Sequence, residues 1–226
     1  HLPVPSRMDI VIVGAGLAGL TAALTMSSNS LPFIVIEKTN SVGGQWRHNA
    51  NFLSRVNSSE PSYRLPMVSR EQHNTNHTHH YQVLEDILRA VQQHGLASRL
   101  HTLTEVRSNH RLADGRWLLA GCQQTASRTF EVNCQVSVLC TNRRLGNPRQ
   151  LFYPGERDRF RGQVARGLAG DSDFLRCNSE RVVVLGMGAF AIEVMRTTLE
   201  RAASHVTILC RQRGACTPHV LDWLRF

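Results

Sequence analysis

Gly14-Ala15-Gly16-Leu17-Ala18-Gly19 is the stretch that decides the fold of this chain. It follows the apolar run Asp9-Ile10-Val11-Ile12-Val13, which is typical of a buried parallel strand, and it precedes apolar residues at helical spacing. Glycines at the first, third and sixth positions allow a tight turn and a close approach of the backbone to a pyrophosphate, at the positive end of the helix. The pattern therefore predicts a Rossmann-like dinucleotide-binding unit.

This first unit ends at an acidic residue. Phe33-Ile34-Val35-Ile36 is the next predicted strand, and Glu37 follows it, 18 residues after Gly19. A carboxylate at this distance accepts hydrogen bonds from a ribose hydroxyl. A glycine fingerprint alone could be a tight turn that binds nothing, but here strand, helix, strand and acid are all in register, which favours a dinucleotide site.

A second copy of the pattern lies near the end of the sequence. Gly186-Met187-Gly188-Ala189-Phe190-Ala191 follows the strand-like run from Arg181 to Leu185, and Val206-Thr207-Ile208-Leu209 is the next predicted strand. One helical face is predicted to carry Ala191, Val194, Met195 and Thr198. A chain that builds two dinucleotide sites usually transfers electrons between two dinucleotides.

The second unit ends in arginines instead of an acid. Cys210-Arg211-Gln212-Arg213 stands where the first unit has Glu37. Guanidinium groups can bind a 2′-phosphate that a carboxylate would repel, so Arg211 and Arg213 predict a preference for NADP over NAD. The alternative is that both are solvated surface residues of an arginine-rich chain.

Composition excludes several classes of protein. The 226 residues are 42% hydrophobic, as in a globular protein, and carry a formal net charge of +9. A nucleic-acid-binding module is the alternative that this charge raises, but the 25 Arg and single Lys are spread along the chain without an aromatic platform. We therefore predict no nucleic-acid partner.

We expect neither a membrane span nor a signal peptide. No apolar run approaches the roughly 18 residues that cross a bilayer, and the first six residues, His1 to Ser6, lack a charged region followed by an apolar stretch. A cytoplasmic location is expected. The chain begins without Met and stops at Phe226, soon after the second strand of the second unit, so we expect a fragment or an incomplete gene model. The oligomeric state stays open.

Cysteines and histidines predict no metal site. The six cysteines form no Cys-x-x-Cys pair, and we interpret them as buried reduced thiols: Cys122, Cys134, Cys140, Cys177, Cys210 and Cys216. The one metal-like cluster is His73, His77, His79 and His80. It lies in an Asn/Thr-rich stretch without a Cys or acid at ligand spacing, which favours a solvated loop over zinc.

Between the two fingerprints the pattern changes twice. Residues 40 to 80 are polar and aperiodic, which predicts a loop laid over the first unit. Leu84, Ile87, Leu88 and Val91 predict one face of a helix that ends near Gly95. Strand candidates follow around 101–107, 116–120, 128–133 and 135–140, with Asp114-Gly115 as a hairpin turn, and residues 143 to 173 look like a connector.

Further motifs make the chain resemble the flavin-containing monooxygenases and their Baeyer–Villiger relatives. The run from Glu37 through Gly43-Gly44-Gln45-Trp46 to Arg47 resembles their acid followed by Gly-Gly-x-Trp, and Val56-Asn57-Ser58-Ser59 resembles the asparagine segment beside their flavin. Tyr153-Pro154-Gly155 and Phe160-Arg161-Gly162 resemble the approach to their signature. Disulfide reductases of the same plan use a redox cysteine pair near the flavin, and no such pair is present here, which leaves oxygen as the electron acceptor.

The resemblance implies an α/β fold with a Rossmann-like FAD-binding unit, an inserted β-meander and the start of a second, truncated NADP-binding unit. The implied segments are residues 1–150 for the FAD-binding domain, 151–180 for a connector and 181–226 for an incomplete NADP-binding domain. The implied activity is that of an NADPH-using monooxygenase. FAD takes a hydride from NADPH and reacts with oxygen through a C4a-hydroperoxide, and a small molecule is the substrate.

The chain departs from the family at three places. Arg166 stands at the histidine of the signature and Gly170 at its later aromatic position, Cys140-Thr141-Asn142 replaces Ala-Thr-Gly, and the C-terminal half of the family fold is missing. These departures keep two alternatives open, a non-catalytic FAD/NADP-binding pseudoenzyme and an uncoupled NADPH oxidase.

Asn57 is the predicted catalytic residue, because its amide can donate and accept a hydrogen bond beside the flavin edge; a turn-forming role in a polar loop is the alternative. Trp46 is expected to contact the flavin, and Arg47 to face a phosphate or solvent. The predicted cofactor-binding residues are Gly14, Ala15, Gly16, Leu17, Gly19, Glu37, Lys38, Gly44, Gln45, Trp46, Ser58, Gly186, Gly188, Ala189, Phe190, Ala191, Arg211 and Arg213.

Overall fold

A computed structural model describes residues 3–57, 63, 65, 78–142, 152–156, 158–165 and 176–212. Its contacts divide the chain into two compact units. The first comprises His1–His48, Arg64–Gln72 and Tyr81–Asn142, and the second comprises Asn49–Tyr63, His73–His80 and Arg143–Phe226. The predicted segment boundaries at 150 and 180 stay a prediction.

The first unit is built on a six-stranded sheet. Its strands are β1 (Arg7–Val13), β2 (Phe33–Ile36), β3 (Leu100–His101), β4 (Thr104–Arg111), β5 (Trp117–Gln123) and β6 (Arg128–Leu139), in the order β3-β2-β1-β6-β5-β4. β1 pairs in parallel with β2 and β6, and β3 pairs in parallel with β2, whereas β4, β5 and β6 form an antiparallel meander. The predicted α/β, Rossmann-like architecture with an inserted meander is confirmed.

Two strand predictions in the meander were wrong in detail. β6 is one strand of 12 residues and not the predicted pair 128–133 and 135–140. It stays continuous because it changes partner along its length: Arg128 to Cys134 pair with β5, and Asn133 to Leu139 pair with β1. The predicted strand 101–107 is instead broken at Leu103, which has a φ of 52° and separates β3 from β4.

Among the described residues, three α-helices accompany this sheet: α1 (Leu17–Ser28), α2 (Gln45–His48) and α3 (His80–Gln93). α1 buries Gly19, Leu20, Ala23 and Leu24. The predicted face of α3 was rotated, because Val83, Ile87 and Ala90 are buried and Leu88 is 51% exposed. One apolar cluster of Val11, Val13, Ile34, Ile36, Leu119, Val132 and Cys134 spans four strands of the sheet.

The second unit contains the predicted strand–helix–strand. β7 (Arg181–Leu185) and β8 (His205–Leu209) pair in parallel from Arg181↔His205 to Leu185↔Leu209, with α4 (Ala189–Glu200) between them in the chain. On α4, Thr197 and Thr198 are buried, whereas Ala191, Val194 and Met195 of the predicted face are half-buried. In the described ranges of both units, no helix is long and apolar enough to cross a membrane.

Candidate functional site

The first fingerprint forms a tight turn at the carboxyl end of β1. Gly14 has a φ of 101° and donates its N–H to the carbonyl of Ile36 at 2.8 Å. A Cβ at this position would lie 2.8 Å from the carbonyl oxygen of Cys140, at the end of β6. A Cβ on Gly19 would collide with the carbonyl oxygen of Gly14. The turn is therefore held between β2, β6 and the first turn of α1.

The amino terminus of α1 is left open for an anion. Gly16 is its N-cap, with a φ of −77° and a ψ of −174°, and no side chain caps the helix. The first amides of a helix lack intrahelical acceptors and carry its positive end. A pyrophosphate at this end would supply the missing acceptors.

A second glycine loop lies against this turn. Gly43 donates its N–H to the carbonyl of Ala15 at 2.9 Å, and a Cβ on Gly44 would lie 2.9 Å from the Cα of Gly16. Gln45 and Trp46 follow at the start of α2 and are half-buried. The structure thus brings Gly44 to the fingerprint and sets Gln45 and Trp46 next to it in the chain, while their contact with a cofactor stays a prediction.

Glu37 holds the same turn from the end of β2. The residue is 7% exposed, and its Oε2 accepts the N–H of Ala15 at 2.7 Å. Its Oε1 accepts the N–H of Thr39 at 2.9 Å and the Thr39 hydroxyl at 2.8 Å. A carboxylate has about four lone-pair sites, so one remains for a ribose hydroxyl. The neighbouring Lys38 is exposed and its carbonyl lies 3.5 Å from Nε2 of Gln124.

Sequence reasoning missed Thr39 and His48. Thr39 Oγ1 lies 2.9 Å from the carbonyl of Ser41, and His48 Nε2 lies 3.0 Å from Thr39 Oγ1. A hydroxyl has one proton to donate, so Thr39 accepts from His48 when the ring carries its proton on Nε2. His48 is thus linked to Glu37 through the Thr39 hydroxyl, and no motif in the sequence signals this pair.

The second fingerprint repeats the geometry of the first. Gly186 has a φ of 120° and donates its N–H to the carbonyl of Leu209 at 2.8 Å, as Gly14 does to Ile36. Gly188 is the N-cap of α4, with a φ of −84° and a ψ of 178°, and no side chain caps this helix either. Gly188, Ala189 and Phe190 are exposed and Ala191 is half-buried, so this turn is accessible to a ligand within its unit.

Arg211 lies within the described residues, whereas two other predicted residues and part of the histidine cluster do not. Arg211 follows β8 and is exposed. Ser58, Arg213, His73 and His77 lie outside the described residues, as do the departures Arg166 and Gly170. Over the residues that are described, no group of three or more His, Cys, Asp or Glu side chains could hold a metal ion.

Asn57 contacts the second fingerprint. Its Nδ2 donates to the carbonyl of Ala189 at 2.9 Å, in the first turn of α4. The side chain is exposed. The predicted catalytic residue is therefore placed beside the second nucleotide turn, within one unit of the structure.

The segment Leu53–Asn57 lies along α4 in the second unit, so the prediction of a loop over the first unit was wrong for these residues. Arg196 Nη2 donates to the carbonyl of Leu53 at 3.0 Å, and Glu193 Oε1 accepts the N–H of Arg55 at 3.3 Å. Arg196 also bonds Glu193 at 2.6 Å and Glu200 at 3.1 Å. The charges of Glu193, Arg196 and Glu200 at helical spacing were the available signal, although they indicate only an ion-paired face.

The thiols are only partly as predicted. Cys134 and Cys177 are buried, Cys122 and Cys140 are half-buried, and Cys210 is exposed, contrary to the prediction for it. Burial raises the pKa of the Cys134, Cys140 and Cys177 thiols. The five described cysteines are free, and Cys216 lies outside the described residues.

Comparison with known proteins gives a family and a set of distant relatives. The profile of the family described as pyridine nucleotide-disulphide oxidoreductase matches residues 8–222. The FAD-binding monooxygenase VdtE of Byssochlamys spectabilis is 26% identical over 93% of this chain and 37% of its own length. A Baeyer–Villiger monooxygenase of Streptomyces coelicolor is 24% identical over 97% of this chain and 41% of its own length. The sequence resemblance to this group is confirmed.

Solved structures share the fold. A steroid monooxygenase in its oxidised form bound to NADP matches with a TM-score of 0.68 at 23% identity, over 92% of this chain and 39% of its own. A bacillithiol disulfide reductase of Bacillus cereus matches with a TM-score of 0.75 at 19% identity, over 97% of this chain and 64% of its own. At these identities the likeness concerns the fold alone. The chain spans about two fifths of the length of the monooxygenase relatives.

Proposed function

The chain belongs to the pyridine nucleotide-disulphide oxidoreductase family, and from this premise we propose that it is the dinucleotide-binding part of an FAD-dependent, NADPH-using monooxygenase. The observation that carries the proposal is the repeated turn. Gly14 and Gly186 each donate to the last carbonyl of the next parallel strand, and Gly16 and Gly188 each begin a helix without a side-chain cap. Two such turns suit two dinucleotides.

FAD is assigned to the first unit. The anionic pyrophosphate would lie at the amino terminus of α1, where Gly16 leaves room for it, and the ribose would bond the remaining lone pair of Glu37. Gly44, Gln45 and Trp46 would line the same cofactor. The relatives named FAD-binding monooxygenases support this assignment.

NADPH is assigned to the second unit. Its pyrophosphate would lie at the amino terminus of α4, and Arg211 at the end of β8 would bond the 2′-phosphate. Arg213 and Ser58 stay predicted contacts of the cofactors. The NADP bound to the steroid monooxygenase supports this choice.

The bound flavin would supply the redox chemistry, taking a hydride from NADPH and passing electrons to oxygen through the C4a-hydroperoxide that the family resemblance implies. The chain's own part would be to hold the two dinucleotides and to keep Asn57 at the second turn. The substrate would be a small molecule that accepts one oxygen atom.

A non-catalytic or uncoupled protein is the second candidate. The observation that favours it is Cys140-Thr141-Asn142 in place of the family's Ala-Thr-Gly, directly beside the first turn, where the Cys140 carbonyl faces Gly14. Such a protein would bind FAD and either leave NADPH unoxidised or return all its electrons as hydrogen peroxide.

The test uses protein expressed from its complete coding sequence. We expect a flavin absorbance spectrum that corresponds to one FAD per chain. We also expect NADPH oxidation that is coupled to the oxygenation of a candidate amine, sulfide or ketone. Colourless protein would refute the FAD assignment. Bound flavin without NADPH oxidation would support the non-catalytic reading, and peroxide equal to the NADPH consumed would support the uncoupled one.

A further inference from the structure

The segment Leu53–Asn57 runs between two partners in an alternating manner. Val56 donates its N–H to the carbonyl of Thr78, and Ser54 accepts the N–H of His80, both at 2.9 Å. The odd-numbered residues face α4 instead: Leu53 meets Arg196, Arg55 meets Glu193, and Asn57 meets Ala189. This segment, which we call the ribbon, thus lies between a short antiparallel bridge at Arg55 and His79 and a helix.

The contacts run antiparallel along one face of the helix. Leu53 bonds Arg196 toward the carboxyl end of α4, the Arg55 N–H bonds Glu193, and Asn57 bonds Ala189 at the first residue of the helix. Positions 189, 193 and 196 are spaced four and three apart and therefore share a face. The order of the contacts brings Asn57 to the first turn.

Arg196 is at the centre of these contacts. Its planar guanidinium bonds the Leu53 carbonyl, Glu193 Oε2 and Glu200 Oε1, and its side chain is 24% exposed. The other oxygen of Glu193 bonds the Arg55 N–H, and Arg55 Nη2 lies 3.8 Å from Glu200 Oε1. A rigid fork with several donors fixes such acceptors better than an ammonium group does.

We propose that Arg196 is a positioning residue for the second dinucleotide site: it fixes the Leu53–Asn57 ribbon on α4 and so holds the Asn57 amide at the turn where the nicotinamide dinucleotide binds. The proposal rests on the proposed function for its ligand. The placement of the ribbon on α4 follows from the contacts alone.

Hydrogen exchange tests the placement without any ligand. In Arg196→Met, we expect the Arg55 and Val56 amides to exchange about tenfold faster, because the ribbon loses the contact that holds it to the helix. The strands β7 and β8 should keep their protection. Glu193→Gln keeps the shape of the network and should show the same change more weakly. This variant decides the test if the Arg196→Met protein does not fold. Unchanged exchange in the ribbon of both variants would overturn the proposal.

A matched control is available on α3. Arg89 is also 24% exposed and pairs with Glu85 and Asp86 at helical spacing, as Arg196 pairs with Glu193 and Glu200. Arg89→Met therefore removes a comparable intrahelical ion pair. It should leave exchange of the ribbon unchanged, and a similar acceleration there would count against a specific role for Arg196.

A double-mutant cycle tests the consequence for binding. Arg196→Met should weaken NADP⁺ binding about tenfold, and the loss should disappear when Asn57 is already alanine, since the arginine acts through that amide. Equal losses in both backgrounds would overturn the positioning role. Failure of the parent protein to bind NADP⁺ would refute the proposed function and leave the exchange experiment to decide the placement.

Discussion

The Asn57 side-chain amide donates a hydrogen bond of 2.9 Å to the main-chain carbonyl of Ala189, a residue 132 positions further along the chain. Ala189 is the fourth residue of the second glycine fingerprint. Asn57 follows the first nucleotide unit in the sequence, but its side chain lies at the turn of the second nucleotide unit. This contact places the candidate catalytic amide beside the turn to which we assign the nicotinamide dinucleotide.

Replacement of Asn57 by leucine should uncouple the reaction. FAD binding should survive, because the proposed flavin contacts lie in the other unit, while peroxide released per NADPH rises and product falls. Loss of one hydrogen bond to the negative charge of the flavin–oxygen intermediate costs about 1.5–3 kcal/mol. This loss should shorten the lifetime of that intermediate, which stopped-flow spectra measure, roughly ten- to a hundredfold. Asn29→Leu is the control, since Asn29 also donates from Nδ2 to a helix carbonyl, at 2.8 Å. An unchanged lifetime in the Asn57 variant would leave it a loop residue.

Replacement of Gly188 by valine should abolish binding of NADP⁺ without unfolding the protein. A Cβ there meets no atom within 4 Å, and the backbone φ of −84° suits any residue. The side chain would instead occupy the space that a pyrophosphate needs at the start of α4. Calorimetric titration with NADP⁺ and a thermal melt measure both effects; normal affinity in a folded variant would contradict the assignment of this turn.

Replacement of Arg211 by alanine should weaken NADPH and spare NADH. One charge-assisted contact to the 2′-phosphate contributes about 1.5–3 kcal/mol, which is roughly ten- to a hundredfold in affinity. Arg181→Ala is the control, because Arg181 is also exposed but begins β7 and pairs with His205 at the opposite end of the parallel pair. Similar losses for both nucleotides in the Arg211 variant would show that its guanidinium does not distinguish them.

Replacement of Thr39 by valine should lower the affinity for FAD. Glu37 would lose the hydroxyl bond of 2.8 Å while keeping the two main-chain bonds, at a cost of about 1.5–3 kcal/mol for a bond to a charged group. Fluorescence of released flavin measures the affinity. Thr25→Val is the control, since that exposed hydroxyl bonds only the Thr21 carbonyl of its own helix in the described contacts. Equal affinities in the two variants would show that Thr39 does not position Glu37.

His79 should make the protein less stable in mild acid. Burial, together with the nearby charges of Arg55 and Arg196, lowers the pKa of His79. The unfolded chain therefore takes up a proton near pH 6.5, before the folded chain does, and stability falls as the pH drops below that value until the folded pKa is passed. His79→Gln should flatten this part of the stability curve in urea titrations between pH 7 and 5. A curve of unchanged slope would exclude His79 as the cause.

Local sequence was sufficient for the nucleotide units. Each needs only a short apolar strand, glycines at three or two fixed positions and an amphipathic helix, all within about 30 residues. The acid at Glu37 and the turn at Gly14 followed from spacing, and so did the second turn at Gly186. These features were predictable because the contacts that fix them join residues close in the chain.

Only the tertiary structure decided what lies beside those turns. β6 is one strand because its first half pairs with β5 and its second half pairs with β1. Packing in the folded chain likewise decides which face of α3 is buried, so that Val83 is buried and Leu88 is exposed. The ribbon Leu53–Asn57 lies on α4 through bonds across more than 130 positions, including 143 between Leu53 and Arg196. Residues so distant in sequence share no period or motif, so a polar stretch that reads as loop becomes part of the second nucleotide unit only when the chain folds.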